Sequence, residues 1–85
     1  MAKIRMYSTA VCPFCQRAEM LLNSKGVTEI ERIRVDLDPR QREDMMKKTG
    51  RRTVPQIYIG DTHVGGFEEL AALEHAGKLD SLLAA

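Results

Sequence analysis

The stretch "TAVCPFCQR", residues 9–17, decides the fold, because the periodicity of the sequence changes there. Just before it, residues 3–7 alternate polar and apolar side chains, which is typical of a β-strand. From Pro13 onward the apolar residues recur at helical spacing, and proline is favoured in a first helical turn because its missing N–H would be unpaired there. The stretch therefore predicts a strand followed at once by a helix, with Cys12 at the N-terminus of that helix.

This position gives Cys12 a chemical reason to be reactive. The helix dipole and the unpaired backbone N–H groups stabilise a thiolate, so the pKa of Cys12 should fall below the ~8.5 of a free cysteine. Cys15 lies one turn further into the helix, where it can reach Cys12 to form a disulfide but is less exposed and less favoured as an anion. We therefore expect Cys12 to be the nucleophile of a redox pair and Cys15 to be the resolving thiol.

A zinc site and a structural disulfide are the alternative uses of the same two cysteines. Structural zinc normally takes four ligands, and here only His63 and His75 could complete the set, the first in a predicted hairpin and the second on a predicted helix. That spacing matches no common zinc module, so we expect no metal site and interpret both histidines as surface residues. A purely structural disulfide would close a loop too small to stabilise much, and a reducing cytosol disfavours it.

The rest of the chain continues in a regular alternation of strands and helices. The predicted elements are a strand at 29–36, a helix opened by Asp38-Pro39 and ended by Gly50, strands at 56–59 and 62–64 around a Gly60-Asp61 turn, a helix from Phe67 to Gly77, and a short helix in the leucine-bearing tail. The order β-α-β-α-β-β-α predicts an α/β fold. A right-handed crossover makes the first two strands parallel and the hairpin adds two antiparallel ones, which gives a four-stranded mixed sheet with helices against it.

Composition limits the classes of protein and partner. A chain of 85 residues that is 44% hydrophobic predicts one domain, residues 1–85, with one core. Thirteen Lys plus Arg nearly cancel twelve Asp plus Glu, so we expect neither nucleic acid nor a lipid surface as a partner. The N-terminus lacks the unbroken apolar run of a signal peptide, and no segment approaches transmembrane length. We expect a cytoplasmic monomer.

Three motifs together resemble a bacterial dithiol glutaredoxin of the thioredoxin-like superfamily, over essentially the whole chain. They are C-P-F-C at 12–15 after the first strand, T-V-P at 53–55 and G-G-F-E-E at 65–69. The resemblance implies a thioredoxin-like fold and a thiol-disulfide oxidoreductase that reduces protein-glutathione mixed disulfides and protein disulfides, with glutathione as co-substrate. The implied partners are glutathione, glutathionylated proteins and protein disulfides, with ribonucleotide reductase among the candidates.

The resemblance also implies a glutathione site. In the family the T-V-P proline is cis and faces the cysteines, and the backbone of the preceding valine pairs with the cysteinyl part of glutathione like an added strand. The N-terminus of the last helix receives the γ-glutamyl carboxylate, and the side chain of Glu68 meets the amino group. By position, Arg42 and Arg52 match the residues that hold the glycine carboxylate in the family. For each residue of the basic cluster, which comprises Lys47, Lys48, Arg51 and Arg52, a solvated helix end or loop is an equally good interpretation. The predicted glutathione-binding residues are Phe14, Arg42, Arg52, Thr53, Val54, Pro55, Gly66, Phe67 and Glu68.

Three positions depart from the family pattern, and two related functions remain as alternatives. Thr9 stands where many relatives carry Lys, Phe14 where tyrosine is usual and Glu68 where Asp or Ser is more frequent, so glutathione binding can be weaker than in those relatives. One alternative is a redoxin that takes electrons from thioredoxin reductase, which the matches to the glutathione site disfavour. The other is a glutathione-ligated iron-sulfur module, which Pro13 disfavours because cluster-binding relatives usually carry a smaller or more flexible residue there.

Overall fold

The structure is a computed structural model that describes residues 2–85. Its elements are β1 Ile4–Ser8, α1 Pro13–Ser24, β2 Ile30–Arg34, α2 Pro39–Thr49, β3 Gln56–Ile59, β4 Thr62–Gly65, α3 Phe67–His75 and α4 Leu79–Ala84. The strand order in the sheet is β2-β1-β3-β4. Strand β1 pairs parallel with β2 and antiparallel with β3, which in turn pairs antiparallel with β4. The predicted mixed sheet is confirmed.

The second strand is shorter than the predicted span of 29–36, because the chain turns away at its end. Val35 still donates its N–H to the carbonyl of Ser8, at 3.0 Å. Beyond it, Asp36 is in a turn and directs its carboxylate back to Arg34. The apolar pattern of the sequence extends past the end of β2 because Val35 is also buried. Its burial comes from packing in the core cluster that contains Met45 of α2, and not from strand pairing.

The second helix begins and ends as its sequence predicts. Asp38 caps it by accepting the N–H of Arg40 at 3.0 Å, and Gln41 contributes its backbone N–H to the carbonyl of Asp38, also at 3.0 Å. Gly50 closes the helix at a φ of 70°, in the left-handed region where a glycine carries no steric cost. The helix therefore delivers the chain to residues 51–55, next to the cysteines.

The core has two parts, one on each face of the sheet. The larger part packs β1 and β3 against α1, α3 and α4, and Leu22, Leu70 and Leu79 are completely buried in it. Truncation of such a leucine to alanine typically costs about 2–5 kcal/mol. The smaller part packs the opposite face against α2. Both cysteines belong to the larger part, so the redox pair lies at the edge of the main core and not on a flexible surface loop.

Within residues 2–85, no helix is both long enough and apolar enough to cross a membrane.

Candidate active site

The two cysteines form a disulfide at the start of α1. Their Cα atoms are 5.1 Å apart, and Cys12 is the N-cap residue, in extended conformation ahead of Pro13. The N–H of Cys15 donates to the sulfur of Cys12 at 3.1 Å. Cys12 is 7% exposed and Cys15 3%, so the order of exposure is as predicted although both are largely buried.

The surroundings of the Cys12 sulfur favour negative charge. The sulfur occupies the position where a side-chain oxygen caps many helices, and it accepts a backbone N–H there. The first turn of α1 contains no acidic residue that would oppose an anion. Because the dipole of the helix adds a partial positive charge at the same point, a thiolate on Cys12 is stabilised by the fold itself.

A carboxylate anchors the loop that leads into the cysteines. Asp36 accepts the N–H of Ala10 at 3.3 Å and a hydrogen bond from the Arg34 guanidinium at 2.7 Å. These two contacts, the arginine first, hold the pKa of Asp36 far below its ordinary value, so the carboxylate is charged at any physiological pH. No local sequence pattern predicts this anchor, because Ala10 and Asp36 come together only when β1 and β2 lie side by side.

A groove of about 260 Å³ lies beside the cysteine pair and brings most of the predicted glutathione-binding residues together. It is lined by Phe14, Arg51, Thr53, Val54, Pro55, Gly66, Phe67, Glu68 and Glu69. The Val54–Pro55 peptide bond is cis, and Val54 packs against the core cluster that contains both cysteines. The rings of Phe14 and Phe67 are 6.3 Å apart between centroids and form an aromatic wall. Phe14 is 50% exposed and so belongs to this rim, not to the core.

The two arginines predicted to hold a carboxylate are placed next to each other but outside the lining of this groove. The guanidinium of Arg42, on α2, donates to the backbone carbonyl of Arg52 at 3.2 Å. Arg52 itself is exposed, in the segment between α2 and Thr53. Both therefore lie close to the T-V-P end of the groove, from which an arginine side chain can extend to a ligand.

Arg51 and Glu69 line the groove but were not among the predicted glutathione-binding residues. The carboxylate of Glu69 accepts the N–H of Gly66 at 2.8 Å and a hydrogen bond from the guanidinium of Arg51 at 2.7 Å. The guanidinium and then the N–H of Gly66 lower the pKa of Glu69. Glutamate three residues after a helix N-cap is a capping-box signal, which could have identified Glu69. The pair joins the loop before Thr53 to the N-terminus of α3, two segments that both line the groove.

The interpretation of His63 as a simple surface residue is wrong. It is half-buried, and its Nε2 lies 2.8 Å from Oε1 of the buried Gln56. Burial, and then the nearby Arg51, lowers its pKa, with Glu69 acting in the opposite direction. His75 is exposed, as expected. Among residues 2–85 no cluster of three or more His, Cys, Asp or Glu side chains could hold a metal ion.

Comparison with known proteins identifies the family. The family model described as Glutaredoxin matches residues 4–64. The chain belongs to the glutaredoxin family. A glutaredoxin of Pseudomonas aeruginosa (strain PAO1) is 52% identical over 85 residues, with 100% of both chains covered. Glutaredoxin 3 of Escherichia coli (strain K12) is 46% identical over 83 residues, which cover 98% of this chain and 99% of the relative.

A solved structure supports the glutaredoxin fold independently. The crystal structure of a buckwheat glutaredoxin-glutathione complex matches with a TM-score of 0.88 at 27% identity, over 98% of this chain and 77% of that chain. Glutaredoxins are thiol-disulfide oxidoreductases, and this glutaredoxin carries the redox-active pair of cysteines at the start of α1. Its fold is thioredoxin-like, as the sequence predicts.

Proposed function

We propose that this glutaredoxin reduces protein-glutathione mixed disulfides and protein disulfides, with glutathione as the electron donor, Cys12 as the nucleophile and Cys15 as the resolving thiol. The observation that carries the proposal is the position of the Cys12 sulfur, which accepts the Cys15 N–H at 3.1 Å at the start of a helix. A thiolate held there is available at neutral pH, and it is also a good leaving group when a mixed disulfide is broken.

Reduction of a glutathionylated protein needs only Cys12. Its thiolate attacks the glutathione sulfur, a new disulfide forms between Cys12 and glutathione, and the protein thiolate leaves and takes a proton from water. The thiolate of a second glutathione then attacks the glutathione sulfur bound to Cys12. Oxidised glutathione leaves, and the Cys12 thiolate is restored. One free glutathione is consumed for each protein thiol released, and the other half of the oxidised glutathione is the glutathionyl group of the substrate.

Reduction of a protein disulfide uses both cysteines. Cys12 attacks one sulfur of the substrate and forms a mixed disulfide with the protein, and the second substrate thiolate is released. Cys15 then attacks the Cys12 sulfur, which frees the substrate and leaves the Cys12–Cys15 disulfide. The Cα separation of 5.1 Å lies within the range that a disulfide bridges, so this step needs no large backbone movement. Glutathione then reduces the pair.

The groove beside the cysteines supplies a place for the tripeptide. We assign the backbone of Val54 to the cysteinyl part of glutathione, since an extended peptide can pair with a free strand-like segment. The N–H groups of Phe67 and Glu68 belong to the first turn of α3, which offers them no partner within the helix, and they suit the γ-glutamyl carboxylate. Arg42 and Arg52 extend from the opposite end toward the glycine carboxylate. The proposed thiol-disulfide exchange uses no metal. We propose a cytoplasmic location, because the cytosol keeps such a dithiol reduced.

Electron-donor specificity tests the proposal. Purified protein is given a glutathionylated peptide with either glutathione, glutathione reductase and NADPH, or thioredoxin reductase and NADPH alone. We expect NADPH consumption only with the first donor system, because the proposed site beside Cys12 takes glutathione as the electron donor. A glutaredoxin already known to be active is the positive control for the glutathione system, and a thioredoxin with a protein disulfide is the positive control for the thioredoxin reductase.

The alternative functions give different results in the same experiment. Turnover with thioredoxin reductase and none with glutathione would establish the redoxin and overturn the assignment of the groove. An iron-sulfur module would be recognised by visible absorbance after anaerobic purification, together with weak turnover. Ribonucleotide reductase, as one candidate protein disulfide, can be compared as substrate once the donor is established.

A further inference from the structure

A buried polar pair lies directly behind the T-V-P segment of the groove. Gln56, the first residue of β3, is completely buried, and its amide donates from Nε2 to the backbone carbonyl of Thr53 at 2.9 Å. The other end of the amide, Oε1, lies 2.8 Å from Nε2 of His63 on β4. Three residues thus form one continuous chain of hydrogen bonds from the hairpin to the wall of the groove.

The direction of each hydrogen bond in this chain is fixed. A backbone carbonyl can only accept, so the Gln56 nitrogen must face Thr53 and the Gln56 oxygen must face His63. That oxygen can only accept as well, which places a proton on Nε2 of His63. His63 is therefore the donor that begins this series of hydrogen bonds, which runs through Gln56 to Thr53.

The buried amide of Gln56 needs His63 as a hydrogen-bond donor. A buried amide oxygen with no partner costs free energy, and rotating the amide to find another would set its oxygen against the carbonyl of Thr53. The ring of His63 packs near that of Tyr58, with centroids 5.1 Å apart, so the imidazole is held in place by contacts besides the hydrogen bond. Loss of the Nε2 proton alone would leave the packing intact but free the Gln56 amide and the Thr53 carbonyl.

We propose that His63 is a positioning residue for glutathione, which acts through Gln56 to hold the carbonyl of Thr53 and so the backbone of the T-V-P segment. This inference rests on the proposed function, in which the backbone of Val54 pairs with the cysteinyl part of glutathione. A peptide plane that can rotate offers its hydrogen-bonding groups in the wrong direction part of the time. His63 does not touch the ligand or the cysteines.

The test compares two mixed disulfides of one peptide, in which the attached small thiol either has a peptide backbone, as glutathione does, or has none, as in cysteamine. In a Cys15→Ser background, reduced protein reacts in a single turnover with a peptide that carries either glutathione or cysteamine as a mixed disulfide. His63→Phe keeps a ring beside Tyr58 and removes the donor, and His63→Gln retains a side-chain N–H. His75→Phe, at the exposed histidine, is the matched control.

We expect His63→Phe to slow the reaction with the glutathione disulfide roughly fivefold, the size of one lost neutral hydrogen bond, and to leave the cysteamine reaction unchanged. His63→Gln should remain within about twofold of the parent, which a loss of packing alone would not explain. Gln56→Leu breaks the same chain at its centre and should reproduce the selective loss if His63→Phe does not fold.

Two results would overturn the positioning role, and they differ from failure of the proposed function. Equal slowing with both disulfides would indicate general damage to the fold or to Cys12, and unchanged rates with both would show that His63 has no influence on the groove. If the parent protein itself shows no preference for the glutathione disulfide over the cysteamine one, the glutathione groove is wrong and the role of His63 falls with it.

Discussion

Cys12→Ser will abolish reduction of a glutathionylated peptide, whereas Cys15→Ser will retain activity within about tenfold of the unsubstituted protein. The serine hydroxyl is not ionised at neutral pH and cannot form a disulfide, so the first step has no nucleophile without Cys12. Cys15 is not needed for that substrate, because a second glutathione resolves the intermediate. The measurement is NADPH consumption coupled to glutathione reductase, with both variants assayed beside the parent.

The same variants behave differently with a protein disulfide as substrate. Here Cys15→Ser should be strongly impaired, because the mixed disulfide between Cys12 and the substrate has no resolving thiol inside the protein. The contrast between the two substrates is the control for folding, since a damaged protein would lose both activities. Equal loss for the two single variants on the glutathionylated peptide would contradict the assigned roles.

Gly65→Ala will lower the free energy of unfolding by about 2–3 kcal/mol and weaken glutathione turnover. Gly65 has a φ of +113°, and a Cβ there would lie 2.5 Å from the carboxylate of Glu69 and 3.0 Å from the guanidinium of Arg51. The alanine therefore adds backbone strain and displaces the ion pair that ties the loop before Thr53 to α3. A fall of about 10 °C or more in Tm is expected for a domain of this size.

Gly77→Ala separates the two causes of this effect. Gly77 also has a positive φ, +71°, but no atom lies within 4 Å of the position its Cβ would take. It should lose only about 1 kcal/mol, from strain alone, and leave glutathione turnover unchanged. Thermal unfolding and the KM for a glutathionylated peptide are measured for Gly65→Ala and Gly77→Ala, each with its cysteine pair reduced. Equal effects on stability and KM would show that the Arg51–Glu69 pair does not shape the groove.

The sequence was sufficient for the fold because each element carries its own local signal. The change of periodicity at Pro13 placed α1, Asp38 and Gly50 bounded α2, and the Gly60-Asp61 turn placed the hairpin. The end of β2 was wrong because Val35 is buried by α2 and not by strand pairing, and periodicity does not separate these two causes.

The contacts that shape the groove could not be predicted in the same way. Arg51 and Glu69 are distant in the sequence and meet only because α3 folds against the loop before Thr53. Gln56 and His63 lie on the two strands of one hairpin, but their contact depends on the register of those strands, which periodicity does not give. A shift of register between β3 and β4, near Ile57, also changes which side chains lie opposite one another. The roles assigned to the groove residues came from resemblance, and those roles stay predictions.

In the proposed mechanism Cys12 itself takes the glutathionyl group from the substrate. Reduced Cys15→Ser protein is mixed with one equivalent of a glutathionylated peptide, quenched with acid and analysed by mass spectrometry of the intact protein and of its fragments. We predict an added mass of one glutathionyl group located on Cys12, together with the free peptide thiol. Protein joined to the peptide, with free glutathione released, would contradict the proposed mechanism, because it would show that the groove does not direct attack to the glutathione sulfur.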